Sequence, residues 1–136
     1  MRLRKAVTTL LTRARVCRVA TADQRGLPHV VSVCHVVSDG KLYFATGSDT
    51  RKARHLHANP RAAVLVDVYS EDWSLLRGVM VQGTARLIDR GPGFRKIQKL
   101  LYQKYPQYPE SAALKESEDT IVELTPTRVS SWGFGD

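Results

Sequence analysis

The sequence predicts a mainly β (α+β) domain built as a small antiparallel barrel with a few short helices. Three observations predict it. β-rich runs recur at short intervals along 136 residues. Asp39-Gly40 stands between two of them, the strong signal for a tight hairpin. Helical stretches do not alternate with the strands as a βαβ series would require, so the strands are hairpin-linked, and a short chain of that kind curls closed to protect its edges.

In chain order, residues 3–14 read as a helix with Leu3, Val7, Leu10 and Leu11 on one side. RVCRVATA (15–22) is a first strand ending at the turn DQRG. PHVVSVCHVVS (28–38) is a long second strand, and KLYFAT (41–46) returns from the Asp39-Gly40 turn as the third. TRKARHLHANP is a compact helix with Thr50 as N-cap, stopped at Asn59-Pro60 because proline restricts the residue before it. AAVLVDVY (62–69) is the fourth strand and EDWSLL an irregular or helical connection. RGVMVQGTARLID (77–89) is the fifth strand, where Gly83 marks a bulge or a close backbone approach. Gly91-Pro92 opens a helix through about Tyr105. Phe94, Ile97, Leu101 and Tyr105 face inward, and Arg95, Lys96, Lys99 and Lys104 form the wet face. PQYPESAALKESED is a polar connection, and TIVELTPTRVSSW (120–132) is the last strand, bent near Pro126. The whole of 1–136 reads as one domain with no repeat or linker.

A chain of this length buries only a small core, so dimerisation is expected. The formal net charge of +8 attracts nucleic acid, anionic membranes or phosphorylated ligands without choosing among them. Neither a zinc-finger spacing nor interleaved aromatic and basic residues is present, which argues against a nucleic-acid partner. No apolar run approaches the roughly 20 residues that span a bilayer, so no membrane role is expected. The basic start MRLRKAVTTLLTRARV lacks the apolar stretch of a secretory signal, and the chain is read as cytoplasmic. Cys17 and Cys34 lie in apolar strands as reduced thiols and form no metal-ligand spacing; no metal is assigned.

FATGSDTRKARHL carries the chemistry. A strand ends, a turn with Thr46, Gly47, Ser48 and Thr50 follows, and the helix begins with Arg51 and Lys52. A helix start already carries partial positive charge, so two cations there are unfavourable by about 0.3–1 kcal/mol each. A bound dianion reverses those signs, and free N–H groups at the helix start add to its hold. Arg51 grips a phosphate bidentately and Lys52 adds a point charge. The competing reading is a solvated face, with Arg51, Lys52 and Arg54 paired to carboxylates.

RVATADQRGLPHVVSV, DGKLYFATGSDTRKARHL, ANPRAAVLVD, GVMVQGTARL and the ending RVSSWGF, in that order, resemble the pyridoxamine 5'-phosphate oxidase-like superfamily of flavin-binding split β-barrels. The stretch VDVYSEDWSLLRGVMVQGTA is most similar to its small flavin- or deazaflavin-dependent members. The resemblance implies a six-stranded antiparallel split β-barrel of Greek-key type, a homodimer, and two cofactor sites in grooves between subunits. It implies an FMN-binding oxidoreductase, with the deazaflavin coenzyme F-420, or a non-catalytic flavin- or haem-binding module, as alternatives. The cofactor phosphate would meet Thr46, Thr50, Arg51 and Lys52, and Ala45 would be a further cofactor-binding residue. Val30, Val31, Ser32, Val33 and Cys34 would run beside the ring, and Trp132 would cover it. The departures are specific. Valines and Ser32 replace the arginine-rich second strand, Arg77 is followed by Gly78 and Val79 rather than by a glutamine two residues on, and no terminal arginine segment is present. A true vitamin B6 oxidase is therefore not expected, and the small-molecule substrate is undefined.

Among the other residues, His35, His55 and His57 read as structural or surface groups, and His29 as a possible groove residue. Trp73 is expected to pack in the core or an interface, and Trp132 and Phe134 in a groove. No catalytic residue is assigned, which fits chemistry supplied by a cofactor.

Overall fold

The computed structural model describes residues 2–135. α1 (Lys5–Arg13) precedes β1 (Cys17–Ala22), β2 (Pro28–Val33), β3 (Val36–Ser38) and β4 (Lys41–Gly47). α2 (Arg51–Ala58), β5 (Arg61–Val68), a 3-10 turn (Trp73–Leu75) and β6 (Arg77–Ile88) follow. α3 (Pro92–Lys104), α4 (Tyr108–Ala112) and β7 (Asp119–Trp132) complete the chain. One curled antiparallel sheet runs β2-β1-β5-β6-β7-β4-β3.

The sheet has seven strands, not the six expected from sequence. The long second strand divides at Cys34–His35: β2 pairs with β1 at one border, and β3 pairs with β4 at the other. No ladder joins β2 to β3, so the sheet is a half-barrel bridged by a bend rather than a barrel closed by hydrogen bonds. Distant side chains fix the bend. The His35 N–H donates to Tyr105 Oη at 3.1 Å, and Lys104 Nζ donates to the His35 carbonyl at 2.8 Å. Backbone groups that leave a ladder inside a protein need such partners.

Lys104 is consequently not on a wet face. Its ammonium also donates to the Ala14 carbonyl beyond α1 (2.8 Å), while Arg15 Nη2 donates to the Lys104 carbonyl at the end of α3 (2.9 Å). Each helix end thus supplies the donor for the other's free carbonyl. Burial first, and Arg15 second, lower the Lys104 pKa to about 8.

Two cores result. Inside the curl, Val7, Leu11 and Leu56 from α1 and α2 pack against Val19, Leu42, Phe44, Val64, Val79, Val81 and Leu124. On the outer side of β3-β4-β7, the α3 residues Phe94, Ile97 and Leu101, with Tyr105 at the helix C-cap, cover Val36, Tyr43 and Ile121. β4 is therefore buried on both faces. Gly83 pairs with Pro126 at a bulge, and a Cβ there would sit 2.2 Å from the Thr125 carbonyl oxygen, which is the close approach expected of it.

His35 is structural, as expected. It is fully buried and its Nε2 lies 2.7 Å from the Leu11 carbonyl. A carbonyl only accepts, so Nε2 carries the proton. Nδ1 is buried without a partner among the described residues. Burial pushes this imidazole down to about 4. Cys17 is buried, and burial raises its thiol to about 12. Trp73, expected to pack, is 72% exposed. The polar sequence around it folds into its own turn, with Asp72 Oδ1 accepting from the Ser74 N–H and hydroxyl, and this holds the indole off the core.

Candidate functional site

The turn after β4 is built by its own hydroxyls. Thr50 caps α2 by accepting from the Ala53 N–H (3.3 Å) and gives its single hydroxyl proton to the Gly47 carbonyl (3.0 Å). The 2.8 Å contact between Thr46 and Thr50 is then a bond donated by Thr46. Both threonines organise the helix start, and the cations remain for a ligand. Among the described residues no ion pair holds Arg51 or Lys52 to a carboxylate. Arg54 donates to the Asp49 backbone carbonyl at 2.6 Å. The carboxylate pairing that would have made this an ordinary surface is absent there. Arg51 is exposed and Lys52 half-buried, and burial holds the Lys52 ammonium below its ordinary range.

Lys52 stands on a cavity of about 320 Å³. Ser32, Val33 and Cys34 enter it from the end of β2 and the bend. Ala45 enters from the side of β4 that faces α3. Five of the residues expected at the cofactor (Ser32, Val33, Cys34, Ala45 and Lys52) are thus brought together from three segments. Arg51 adjoins them on the helix. Val31 faces inward, half-buried, whereas Val30 points outward and is 65% exposed. Trp132 does not line the cavity. It pairs with Gly78 at the far end of β7, where a Cβ on Gly78 would meet its indole at 2.2 Å.

The opposite wall was missed in the sequence. Tyr105, expected only as an inward-facing helix residue, lines it with Gln107, Tyr108, Ser111 and Ala112 from a stretch expected to be only a polar connection. The tyrosine-rich run YQKYPQYP was the available signal. Tyr108 packs at 5.7 Å from Tyr102 and 6.3 Å from Tyr105, centroid to centroid, and burial pushes its hydroxyl up to about 12. The phenol is a neutral donor at ordinary pH.

The arrangement fits a flat, phosphorylated coenzyme. A half-buried ammonium without a carboxylate partner suits the phosphoryl group, and apolar and tyrosine walls suit a ring. A volume at the small end of ligand pockets means that a flavin would extend beyond what one chain encloses. Among the described residues no cluster of three or more His, Cys, Asp or Glu side chains has metal-holding geometry, and no helix is long and apolar enough to cross a membrane.

Curled antiparallel sheet, capping helices and a cationic turn at a groove define a half-barrel of the split-barrel class. The chain belongs to the pyridoxamine 5'-phosphate oxidase family, whose sequence pattern matches residues 3–133. It is 29% identical over 122 residues to a 5a,11a-dehydrotetracycline/5a,11a-dehydrooxytetracycline reductase of Streptomyces rimosus, spanning 86% of this chain and 73% of that protein. It is 46% identical over 52 residues to a pyridoxine/pyridoxamine 5'-phosphate oxidase of Anaeromyxobacter dehalogenans, but that match covers 38% of this chain and only 26% of the enzyme. Among solved structures, the heme storage protein HutZ of Vibrio cholerae superposes with a TM-score of 0.79 at 15% identity, covering 97% of this chain and 94% of that one. An F420 reductase superposes with a TM-score of 0.70 at 22% identity, covering 94% and 98%. At these identities the structures establish the fold alone.

Proposed function

We propose that the protein is an oxidoreductase that binds a flavin-type coenzyme, FMN in the first place and the deazaflavin F-420 as the alternative. In this reading the phosphoryl group lies at Arg51 and Lys52. The single observation that carries it is the half-buried Lys52, without a carboxylate partner, standing on a cavity that also gathers Ser32, Val33, Cys34 and Ala45. The similarity to a reductase supports the reaction class. When bound, such a coenzyme supplies hydride transfer.

This chain's own residues position it. Arg51 and Lys52 anchor the phosphoryl group, and Thr50 fixes the helix that presents them. The end of β2 offers main-chain N–H and C=O groups to the ring edge, and Tyr105 and Tyr108 wall one side and exclude water. Vitamin B6 oxidation is not proposed, because valines stand where that activity has its arginines.

A homodimer completes the proposal. Val30 and Leu65 project outward with Ala20, Ala63 and Met80 on neighbouring strands, and with Arg18 and Gln82 among them they form a mixed apolar and polar face on β2-β1-β5-β6. In this reading a second copy covers the groove that one chain leaves open, and Trp132, which does not line its own chain's cavity, is assigned to that cover.

The test is a visible-absorbance titration with FMN and, separately, with F-420. Arg51→Ala with Lys52→Ala is expected to weaken the bound coenzyme at least 100-fold, as the loss of two charge-assisted contacts implies, with the melting temperature unchanged. Unchanged affinity would place the phosphoryl group elsewhere. Failure of both coenzymes to bind at saturating concentration would end the reading.

A further inference from the structure

The helix face that carries the two cations also carries an imidazole. Arg51 and His55 are four residues apart on α2 and Lys52 and His55 three, spacings that share a face. His29 on β2 meets the His55 ring edge-on, with centroids 5.9 Å apart. From β1, Thr21 Oγ1 lies 3.0 Å from His55 Nδ1. From the β1–β2 turn comes Asp23, whose Oδ1 accepts from the Arg25 and Leu27 N–H groups, each at 2.9 Å. Its carboxyl is held low chiefly by the Leu27 N–H, with His55 as a lesser cause. Four groups able to be cationic therefore converge, and the nearby carboxylate is already engaged.

The two imidazoles differ in what protonation requires. His55 Nδ1 faces a hydroxyl, which donates to a bare nitrogen or accepts from an N–H, so both states are satisfied. His29 Nδ1 is buried without a partner among the described residues. Burial, then Arg51, His55 and Lys52, disfavour its charged form while no anion is present. A dianion against Arg51 and Lys52 cancels the repulsion that opposes the charged form of His29.

We propose that His29 and His55 make the phosphoryl end of this site proton-linked: a phosphate monoester dianion held by Arg51 and Lys52 draws one proton from solvent onto the histidine pair. The inference rests on the phosphoryl-site reading above. His29 and His55 are positioning residues here, acting through the charge of the site rather than on any reacting atom. Affinity then rises as pH falls, by at most tenfold per pH unit for one proton. The ligand's own second ionisation, near pH 6, works in the opposite direction. The linkage is therefore read between pH 6.5 and 8, where FMN is mostly dianionic.

The experiment follows the His29 and His55 ring resonances by NMR against pH in the full-length protein, free and saturated with FMN, with riboflavin and inorganic phosphate as probes. FMN Kd is measured in parallel. FMN and phosphate are expected to raise the pKa of one of the two rings by about two units, and riboflavin, lacking the phosphoryl group, to leave both unmoved. FMN Kd is expected to weaken three- to tenfold from pH 6.5 to 7.5. In His29→Gln that slope is expected to fall below twofold, and His55→Gln serves the same purpose if the first variant does not fold. FMN binding that requires Arg51 while both ring pKa values stay fixed would overturn the proton linkage alone. If neither FMN nor phosphate perturbs any ring or binds measurably, the phosphoryl site falls with it.

Discussion

Acidification from pH 7 to 5 is expected to destabilise this protein chiefly through one buried side chain, His35, with His29, also held below its ordinary range, acting in the same direction. His35 is fully buried, donates from Nε2 to Leu11, and titrates near 4 because burial opposes its charge. In the unfolded chain it titrates near 6.5. A folded pKa below the unfolded one means that the unfolded state binds the extra proton first. The stabilisation is therefore complete above pH 6.5 and is lost as pH falls towards 4. The gap between the two values corresponds to about 3 kcal/mol in full, of which about 2 kcal/mol disappears between pH 7 and 5. The carboxyls held below their ordinary range (Asp23, Asp72, Glu116 and Glu123) titrate below this window and do not mask it. Urea unfolding at fixed protein concentration is the assay. With a slope of about 2 kcal/mol/M, the midpoint should drop by about 1 M across the window. His35→Gln keeps an N–H donor for Leu11 and removes the titration. It should be less stable at pH 7 by about 1–2 kcal/mol and lose more than half of the pH slope. A wild-type midpoint that stays flat from pH 7 to 5, or a slope that survives in His35→Gln, would refute the reasoning.

Two glycines give sharper steric outcomes. Gly78→Ala places a methyl within 2.2 Å of the Trp132 indole, so the ring must swing away; a shift in tryptophan emission and a loss of about 1–2 kcal/mol are expected. Gly83→Ala sets its methyl 2.2 Å from a backbone oxygen that cannot rotate aside. It should cost about 2–3 kcal/mol, more than Gly78→Ala, and thermal unfolding of the pair decides the order.

Much of the architecture was legible because local chemistry and global fold agree. Asp39-Gly40 made its hairpin, with Asp39 at φ 53° and Gly40 at φ 75°. Thr50 capped α2 and Asn59-Pro60 ended it. What stayed hidden was set at long range. PHVVSVCHVVS has uninterrupted β character, and nothing local marks the break at Cys34–His35; Tyr105, seventy residues away, supplies the hydroxyl that makes it possible. Lys104 read as solvated because its carbonyl partners at Ala14 and His35 are equally remote. The candidate site divides the same way. Its cationic rim was visible in FATGSDTRKARHL, while its far wall arises from Tyr105 at the end of α3 and from α4, whose five residues carry two good turn formers and little periodicity.

The bend between β2 and β3 has a mechanical consequence. Both unpaired borders of the sheet belong to a single segment, so the curl cannot open or tighten at one rim without dragging the other. The catch that holds this segment sits at the end of α3, where Tyr105 lines the cavity as well. A group that filled the cavity would therefore press on one of the two side chains, Tyr105 and Lys104, that hold the bend.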